Sequence, residues 1–225
     1  MNKKILVVAA HPDDETLGCG GTIAKHSNGG DEVKVIVMTD GVSSRFISNS
    51  EEVKKRNEAI QKAMSILGAD LLKCGEFPDN KLDTVPLLDL IQFLENLKKD
   101  FNFDIVYTHS PCDLNIDHRI VFEATLTAFR PEPKECITEI RSFEIPSSTD
   151  YSSGKINRNF SPNLFIDTSR HHELKLKALG CYDMELRDFP HSRSLESINA
   201  LAKTRGASVG LKMAEAFEVI RRIER

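Results

Sequence analysis

A short aliphatic run near the N-terminus constrains the fold more than any other feature. Residues 5–10 read Ile-Leu-Val-Val-Ala-Ala, an uninterrupted pattern that is typical of a strand buried on both faces of a parallel sheet. The cluster HPDDE follows directly at 11–15. Ligands of open α/β sheets bind at the carboxyl ends of the strands, so we expect this imidazole and these carboxylates at a binding edge. Their chemistry predicts a divalent metal with a general base beside it.

Strand-like and helix-like segments alternate through the first two-thirds of the chain. Strands are predicted over 5–10, 33–38, 71–74 and 104–108, and helices over 15–28, 53–67, 87–97 and 117–129. This alternation predicts a parallel, doubly wound α/β sheet with right-handed crossovers.

The pattern loosens after Pro131-Glu132-Pro133. Strands are predicted over 140–145 and 163–167, a polar surface loop over 147–162, and helices over 169–179, 194–204 and 207–223. We expect an irregular C-terminal part within a single domain that covers residues 1–225.

Composition narrows the range of partners. The net charge of −4 leaves no basic stripe for a nucleic acid backbone. No apolar stretch approaches the roughly 18 residues of a membrane span, and we expect no signal peptide before the first strand. Five cysteines without a CxxC pair favour a reduced, cytoplasmic protein rather than a disulfide framework or a thiolate zinc site. The oligomeric state stays open, and a homo-oligomer is compatible with the sequence.

Two other interpretations of the first cluster are weaker. The glycines at 18, 20 and 21 do not complete G-x-G-x-x-G, because its third place falls on Ile23, and the carboxylates would repel a pyrophosphate. Asp13 and Asp14 could merely complement a helix dipole, with His11 exposed. Pro12, which locks the turn between His11 and the carboxylates, argues against that interpretation.

A second polar cluster, HSPCDLNIDH at 109–118, follows the predicted strand 104–108. If both strands share one parallel sheet, then His11, Asp14 and His118 supply two imidazoles and a carboxylate, the ligand set of a hydrolytic zinc site with one position open for water. Asp117 or Asp113 could then hold a ligand imidazole by a hydrogen bond. The alternative is a helix cap followed by a surface histidine.

Several further segments carry a family resemblance. They are AAHPDDETLGCGGTIAKHSNGG, VKVIVMTDG, RNEAIQKAMSILGA, FPDNKLD, DLNIDHR, KLKALGCYDMEL and AEAFEVIR, which together span nearly the whole chain. With them the chain resembles the PIG-L (LmbE-like) family of zinc-dependent N-acetylglucosaminyl deacetylases.

The resemblance implies a Rossmann-like three-layer α/β sandwich, one Zn²⁺ and removal of an N-acetyl group from an amino-sugar conjugate, a small-molecule substrate. It implies that His11, Asp14 and His118 are the zinc ligands and Asp13 the catalytic base. Fe²⁺ is also compatible with such a His/carboxylate site. Arg56 and Asp79 fall in blocks that line the sugar site of related enzymes. A solvated helix face or an ordinary turn would explain these two residues without a function.

One position departs from better-known relatives, which carry an oxyanion-stabilising histidine where this chain has Asn115. An amide can donate a hydrogen bond to an oxyanion but cannot act as an acid. Protonated Asp13 is therefore the first candidate to protonate the leaving amine, ahead of His191, which we also take as a substrate contact, and His109. Two alternatives to sugar deacetylation are hydrolysis of another acylated amine and a catalytically silent metal- or sugar-binding domain.

The remaining histidines and cysteines, and one tyrosine, have ordinary explanations. We expect His26, His171 and His172 at the surface, and Cys19 and Cys112 as small buried side chains. Tyr182 fits either pocket support or core packing.

Overall fold

The computed structural model describes residues 2–41, 50–133, 136–152 and 159–224. These residues form seven strands and six α-helices, which alternate from β1 to β5. The strands are β1 Lys4–Ala9, β2 Glu32–Thr39, β3 Asp70–Phe77, β4 Ile105–His109, β5 Glu139–Phe143, β6 Leu164–Asp167 and β7 Ala214–Arg222. The helices are α1 Asp14–Asn28, α2 Ser50–Leu67, α3 Leu87–Lys98, α4 Ile116–Ala128, α5 His172–Leu179 and α6 Leu195–Ala207.

The strands form one mixed, mostly parallel sheet in the order β3-β2-β1-β4-β5-β7-β6. Strands β1 to β5 pair in parallel, and β7 runs antiparallel to both β5 and β6. The chain moves outward from β1 to β2 and β3, then returns to place β4 on the other side of β1. A topological switch point therefore lies between β1 and β4, where doubly wound sheets bind their ligands.

Helices cover both faces of the sheet, as a buried parallel sheet requires. Along β1, Ile5 and Val7 face the core beneath α1, α2 and α5, whereas Leu6 and Val8 face the core beneath α3 and α4. All four side chains are fully buried. This explains why the first strand is apolar at every position instead of alternating.

The predicted α/β fold and most of its elements are confirmed. The largest error concerns 207–223, predicted as a helix. In the structure α6 ends at Ala207, and Ala214–Arg222 forms β7 between β5 and β6. The segment is rich in residues with good helix propensity, but pairing with two neighbouring strands outweighs that local preference. In the predicted loop 147–162, residues 153–158 lie outside the described part of the chain.

The glycine-rich segment of α1 is explained by close packing and a break in the helix. Cys19 has non-helical backbone angles (φ −145°, ψ 23°), which divide α1 into two shorter helices. A Cβ at Gly18 would collide with the Phe143 ring, and one at Gly21 would lie 2.9 Å from the Thr168 side chain. These glycines therefore allow close contact between α1 and its neighbours, which agrees with the failure of the dinucleotide motif.

A buried ion pair satisfies the backbone groups that the break exposes. Glu215 on β7 accepts hydrogen bonds from the backbone N–H groups of Gly21 (3.0 Å) and Thr22 (2.7 Å). Lys175 on α5 donates to Glu215 (2.6 Å) and to the carbonyl oxygen of Leu17 (2.8 Å). A carboxylate thus caps the start of the second half of α1 and an ammonium the end of the first.

Replacement of Glu215 should destabilise the protein strongly. Glu215→Ala leaves the buried Lys175 ammonium and two buried N–H groups without their partner, and we expect the free energy of unfolding to fall by about 3–5 kcal/mol. Urea denaturation at fixed metal concentration measures the change. Arg130→Ala, which removes an exposed arginine paired with Glu95, is the control and should leave the midpoint almost unchanged. Equal midpoints for the two variants would contradict this role of Glu215.

Candidate metal centre and cavity

The two polar clusters lie side by side at one edge of the sheet. β1 and β4 are parallel neighbours, with Ile5 opposite Ile105 and Val7 opposite Tyr107. The loops that follow the two strands, 10–13 and 110–115, therefore emerge together at the switch point. The expectation that both strands share one parallel sheet is confirmed.

Three side chains from these clusters converge on a common point. His11 Nδ1 lies 3.0 Å from Asp14 Oδ2, His118 Nε2 lies 3.2 Å from the same oxygen, and the two nitrogens are 3.2 Å apart. A tetrahedral ion with bonds of about 2.0–2.1 Å holds its ligand atoms roughly 3.3–3.4 Å apart. The three atoms thus already form a slightly compressed face of such a tetrahedron. Asp14 Oδ1 is buried without a hydrogen-bond partner in the described part of the chain, as expected of a carboxylate whose natural partner is an ion.

Each of the two imidazoles has a carboxylate beside its other nitrogen. His11 Nε2 donates to Asp117 Oδ2 at 3.1 Å, and His118 Nδ1 lies 3.0 Å from Asp113 Oδ2. Both carboxylates are fixed in turn, Asp117 by the Leu82 N–H and Asp113 by the Thr149 hydroxyl. This arrangement turns one lone pair of each histidine toward the common point, which is how metal-binding histidines are usually oriented.

Electrostatics favours positive charge at this point. Four carboxylates surround the two histidines, namely those of Asp14, Asp79, Asp113 and Asp117, and none is more than 5% exposed. Burial opposes a charged imidazole, but the bonds to Asp117 and Asp14 outweigh it and raise the pKa of His11 to about 10. Burial also opposes a charged imidazole at His118, but the neighbouring carboxylates of Asp14 and Asp113 outweigh it and raise the pKa of His118 to about 9. Two bound protons would offset part of the carboxylate charge, and a divalent cation can supply the same charge by replacing them.

Asp13 stands next to this centre in an unusual conformation. It occupies the position before α1 with φ 130° and ψ −27°, a region that costs a non-glycine residue about 1–3 kcal/mol. Its backbone N–H donates to Glu15 Oε2 at 3.1 Å, and its Oδ2 accepts a hydrogen bond from Arg193 at 3.0 Å. Burial raises the pKa of Asp13 to about 8 against the opposing charge of Arg193. A neighbouring cation acts in the same direction as Arg193 and favours the ionised carboxylate.

A polar cavity of about 150 Å³ opens above these groups. It is lined by His11, Asp13, Gly41, Arg56, Asp79, Asn80, Asn115, Glu185 and Arg193. Arg56 is not a solvated helix residue, because it pairs with Glu185 in the cavity wall. Asp79 is more than a turn residue, since its Oδ1 lies 3.3 Å from His11 Nε2. Arg56 and Asp79, two of the residues predicted to contact the sugar, thus line the cavity beside the candidate metal centre.

Asn115 lies in the same wall but is already engaged. Its Oδ1 accepts the Asp117 N–H at 2.8 Å and caps α4, while its Nδ2 donates to Asn80 Oδ1 at 3.1 Å. The amide group has a second hydrogen on Nδ2, so one donor remains for a ligand.

Two histidines proposed near the chemistry lie elsewhere. His191 does not line the cavity, and its Nδ1 accepts the N–H of Arg193 within a turn. His109 is fully buried against His118, and its Nε2 accepts the Ala10 N–H at 2.8 Å. Burial and His118 hold the pKa of His109 well below its usual range, so it is neutral. Neither residue is placed to protonate a leaving group in the cavity.

The three histidines expected at the surface, His26, His171 and His172, are buried or partly buried instead. His172 is 2% exposed on the inner face of α5. His26 is partly buried and bridges Asp31 and the Tyr107 hydroxyl. Cys19 and Cys112 are buried as expected. Tyr182 supports the site from below, because its hydroxyl donates to Glu15 Oε1 at 2.7 Å.

Sequence reasoning missed the two charged cavity residues Glu185 and Arg193. Both come from the segment between α5 and α6, which has no regular pattern. The run of charge in MELRDFPHSR was the only available signal, and such a run more often belongs to a solvated surface.

Fold and site together define a class: a doubly wound α/β protein with a candidate mononuclear metal centre at its switch point. The chain belongs to the PIG-L family, described as GlcNAc-PI de-N-acetylase, whose profile matches residues 6–129. A deacetylase of Escherichia coli K12, YaiS, itself uncharacterized, is 32% identical over 65% of this chain and 76% of its own length. The diacetylchitobiose deacetylase of Thermococcus kodakarensis is 24% identical over 97% of this chain and 83% of its own.

Solved structures share the fold. The N,N'-diacetylchitobiose deacetylase of Pyrococcus horikoshii superposes with a TM-score of 0.76 at 23% identity, covering 97% of this chain and 84% of that one. The 4-carboxy-2-hydroxymuconate hydratase GalB of Pseudomonas putida reaches 0.78 at 21% identity, covering 99% and 98%. In the described part of this chain, no helix has both the length and the apolar composition needed to cross a membrane.

Proposed function

We propose that this chain is a zinc-dependent hydrolase that removes the N-acetyl group from an N-acetylglucosamine-type sugar or sugar conjugate and releases acetate. The observation that carries the proposal is the triangle of His11 Nδ1, Asp14 Oδ2 and His118 Nε2 beside the Asp13 carboxylate in a polar cavity. Family membership and the names of the deacetylase relatives support the choice of reaction. We also propose that the chain is one domain, since strands from both its ends share one sheet, and that it is cytoplasmic, as its free cysteines suggest.

His11, Asp14 and His118 would hold the metal, and zinc is the best match because this donor set leaves one position open. Zinc in such a site lowers the pKa of a bound water to about 7 and polarises an acyl carbonyl.

The remaining steps belong to residues of the chain. Asp13 accepts the proton of the attacking water as general base. Asn115 lines the cavity, and its second amide N–H can donate to the oxyanion that develops on the carbonyl. Protonated Asp13 then returns its proton to the leaving amine, since His191 and His109 do not reach the cavity. Arg56 and Asp79, which border the same space, contact the sugar hydroxyls.

Acetate release tests the proposal. The purified protein is assayed against a panel of N-acetylated sugar conjugates, with and without a chelator, and then with Zn²⁺ or Fe²⁺ restored. We expect acetate from at least one N-acetylglucosamine conjugate, loss of release with the chelator and recovery with the metal. Acetate release from acylated amines that are not sugars would indicate that the substrate belongs to that other class. A metal-loaded protein that binds sugar without releasing acetate would indicate a silent binding domain.

Asn115 can be tested separately from the helix that it caps. Asn115→Ala removes the amide donor, and we expect kcat to fall by about 10²-fold with metal content unchanged. It also removes the cap of α4, which costs about 1 kcal/mol of stability. Asn115→Ser keeps a capping oxygen but replaces the amide N–H with a hydroxyl on a shorter side chain, so it should lose rate but retain the thermal midpoint. An unchanged rate in both variants would remove Asn115 from the oxyanion site.

A further inference from the structure

Arg193 makes the closest cationic contact with Asp13. It lies immediately before Ser194, the residue that caps α6. This position is outside residues 6–129, the part of the chain that matches the family profile. Its Nη1 donates to Asp13 Oδ2 at 3.0 Å, and the Arg193 side chain is 20% exposed. This contact joins the candidate base to a segment more than 170 residues away in sequence.

The guanidinium is itself fixed from several sides. Its Nε donates to Ser147 Oγ at 2.7 Å and approaches the Pro146 carbonyl at 3.4 Å. Glu185 Oε2 lies 3.8 Å from Nη1, and Glu185 also pairs with Arg56. An arginine fork bound in this way presents its N–H groups in a rigid plane, whereas a lysine would present a mobile point charge.

Asp13 thus has two separate restraints. Glu15 holds its strained backbone by accepting the N–H, and Arg193 holds one carboxylate oxygen. Strained residues persist only where their surroundings determine the conformation. Since Arg193 occupies Oδ2, the other oxygen, Oδ1, is the one left to take a proton in the cavity.

We propose that Arg193 is a positioning residue for Asp13, which fixes the carboxylate so that Oδ1 faces the attacking water. This inference rests on the proposed function of Asp13 as general base. A misplacement of about 1 Å in such a group can cost about 10²-fold in rate.

Replacement of Arg193 should affect turnover more than substrate binding. For Arg193→Met we expect kcat to fall by about 10²-fold, KM to stay within roughly threefold and metal content to stay at the wild-type value. Arg193→Lys should lose part of this rate, and added guanidinium should restore part of it in Arg193→Ala. Arg205→Met is the matched control, because Arg205 makes a partly buried pair with a carboxylate, Glu144, outside the cavity. It should retain the wild-type kcat.

A double-mutant cycle separates positioning from direct contact with the substrate. In the Asp13→Asn background, Arg193→Met should change the residual kcat by less than about twofold if Arg193 acts through Asp13. A full additional loss would show that Arg193 contacts the reacting atoms itself and would overturn the proposal. Unchanged kcat in Arg193→Met with active wild-type enzyme would overturn it as well.

A crystallographic measurement that does not depend on turnover separates the positioning role of Arg193 from the proposed function. In crystals of the metal-loaded protein, Asp13 should occupy one rotamer in the wild type and in Arg205→Met, and more than one in Arg193→Met. A single unchanged rotamer in Arg193→Met would reject the positioning role. Wild-type protein that releases no acetate from any substrate would reject the proposed function, whatever the rotamer result.

Discussion

Asp13→Asn is expected to keep the metal and lose nearly all turnover. The amide has the shape of the carboxylate and can still accept the Arg193 hydrogen bond, but it cannot take a proton from water. A general base contributes typically 10²–10⁴-fold, and we expect kcat to fall by about this factor. Acetate release gives kcat, and elemental analysis of the same sample gives the metal per chain.

Asp31→Asn is the control for this change. Like Asp13, Asp31 is hydrogen-bonded to a side-chain nitrogen, that of His26, but it precedes β2 at the opposite edge of the sheet. It should retain the wild-type kcat. Full activity in Asp13→Asn would overturn the assignment of Asp13 as base.

The second large effect is expected at a proposed ligand. His118→Ala removes one of three protein ligands and leaves the carboxylates of Asp14 and Asp113 facing each other without their shared imidazole. We expect metal affinity to fall by more than about 10²-fold, because even replacing residues that merely support ligands costs about 10–100-fold. The purified variant should contain little metal and release little acetate.

Two further variants sharpen the His118 result. Asp113→Asn keeps the ligand but weakens its support, so it should lose affinity by about 10–100-fold, less than His118→Ala. His26→Ala removes a partly buried histidine that also pairs with an aspartate, and it should retain the wild-type metal content. Wild-type metal content in His118→Ala would contradict the proposed ligand set.

The sequence was sufficient to predict the parts of the fold that local pattern determines. The apolar run predicted β1 as a buried strand. The polar clusters after β1 and β4 could be predicted to meet, because parallel neighbouring strands end at the same edge of the sheet. The strand β7 could not be predicted in this way, because its Ala- and Glu-rich sequence favours a helix. It forms a strand because it pairs with β5 and β6. The carboxylate of Glu215 similarly has no local signal, because it caps a helix almost 200 residues away.

The site shows the same division between local and distant contacts. His11, Asp13 and Asp14 come from one turn, so their proximity follows from sequence spacing. Arg193 and Glu185 reach the cavity only through an irregular segment that folds across it, and spacing carries no information about such a contact. His172 shows the opposite error. It lies in a polar stretch and was predicted at the surface, but its side chain is buried on α5.

The fold alone does not decide the reaction, because both a deacetylase and the hydratase GalB share it at low sequence identity. The claim of hydrolysis depends instead on three ligand atoms and an adjacent base. The convergence of His11, Asp14 and His118 is therefore the central claim.

Anomalous X-ray diffraction at the zinc edge, on crystals of the purified protein, tests that claim most directly. The account predicts one peak per chain at bonding distance, about 2.0–2.2 Å, from His11 Nδ1, an Asp14 carboxylate oxygen and His118 Nε2. A peak bound by other side chains, or these three atoms turned away from one another with no ion between them, would contradict it.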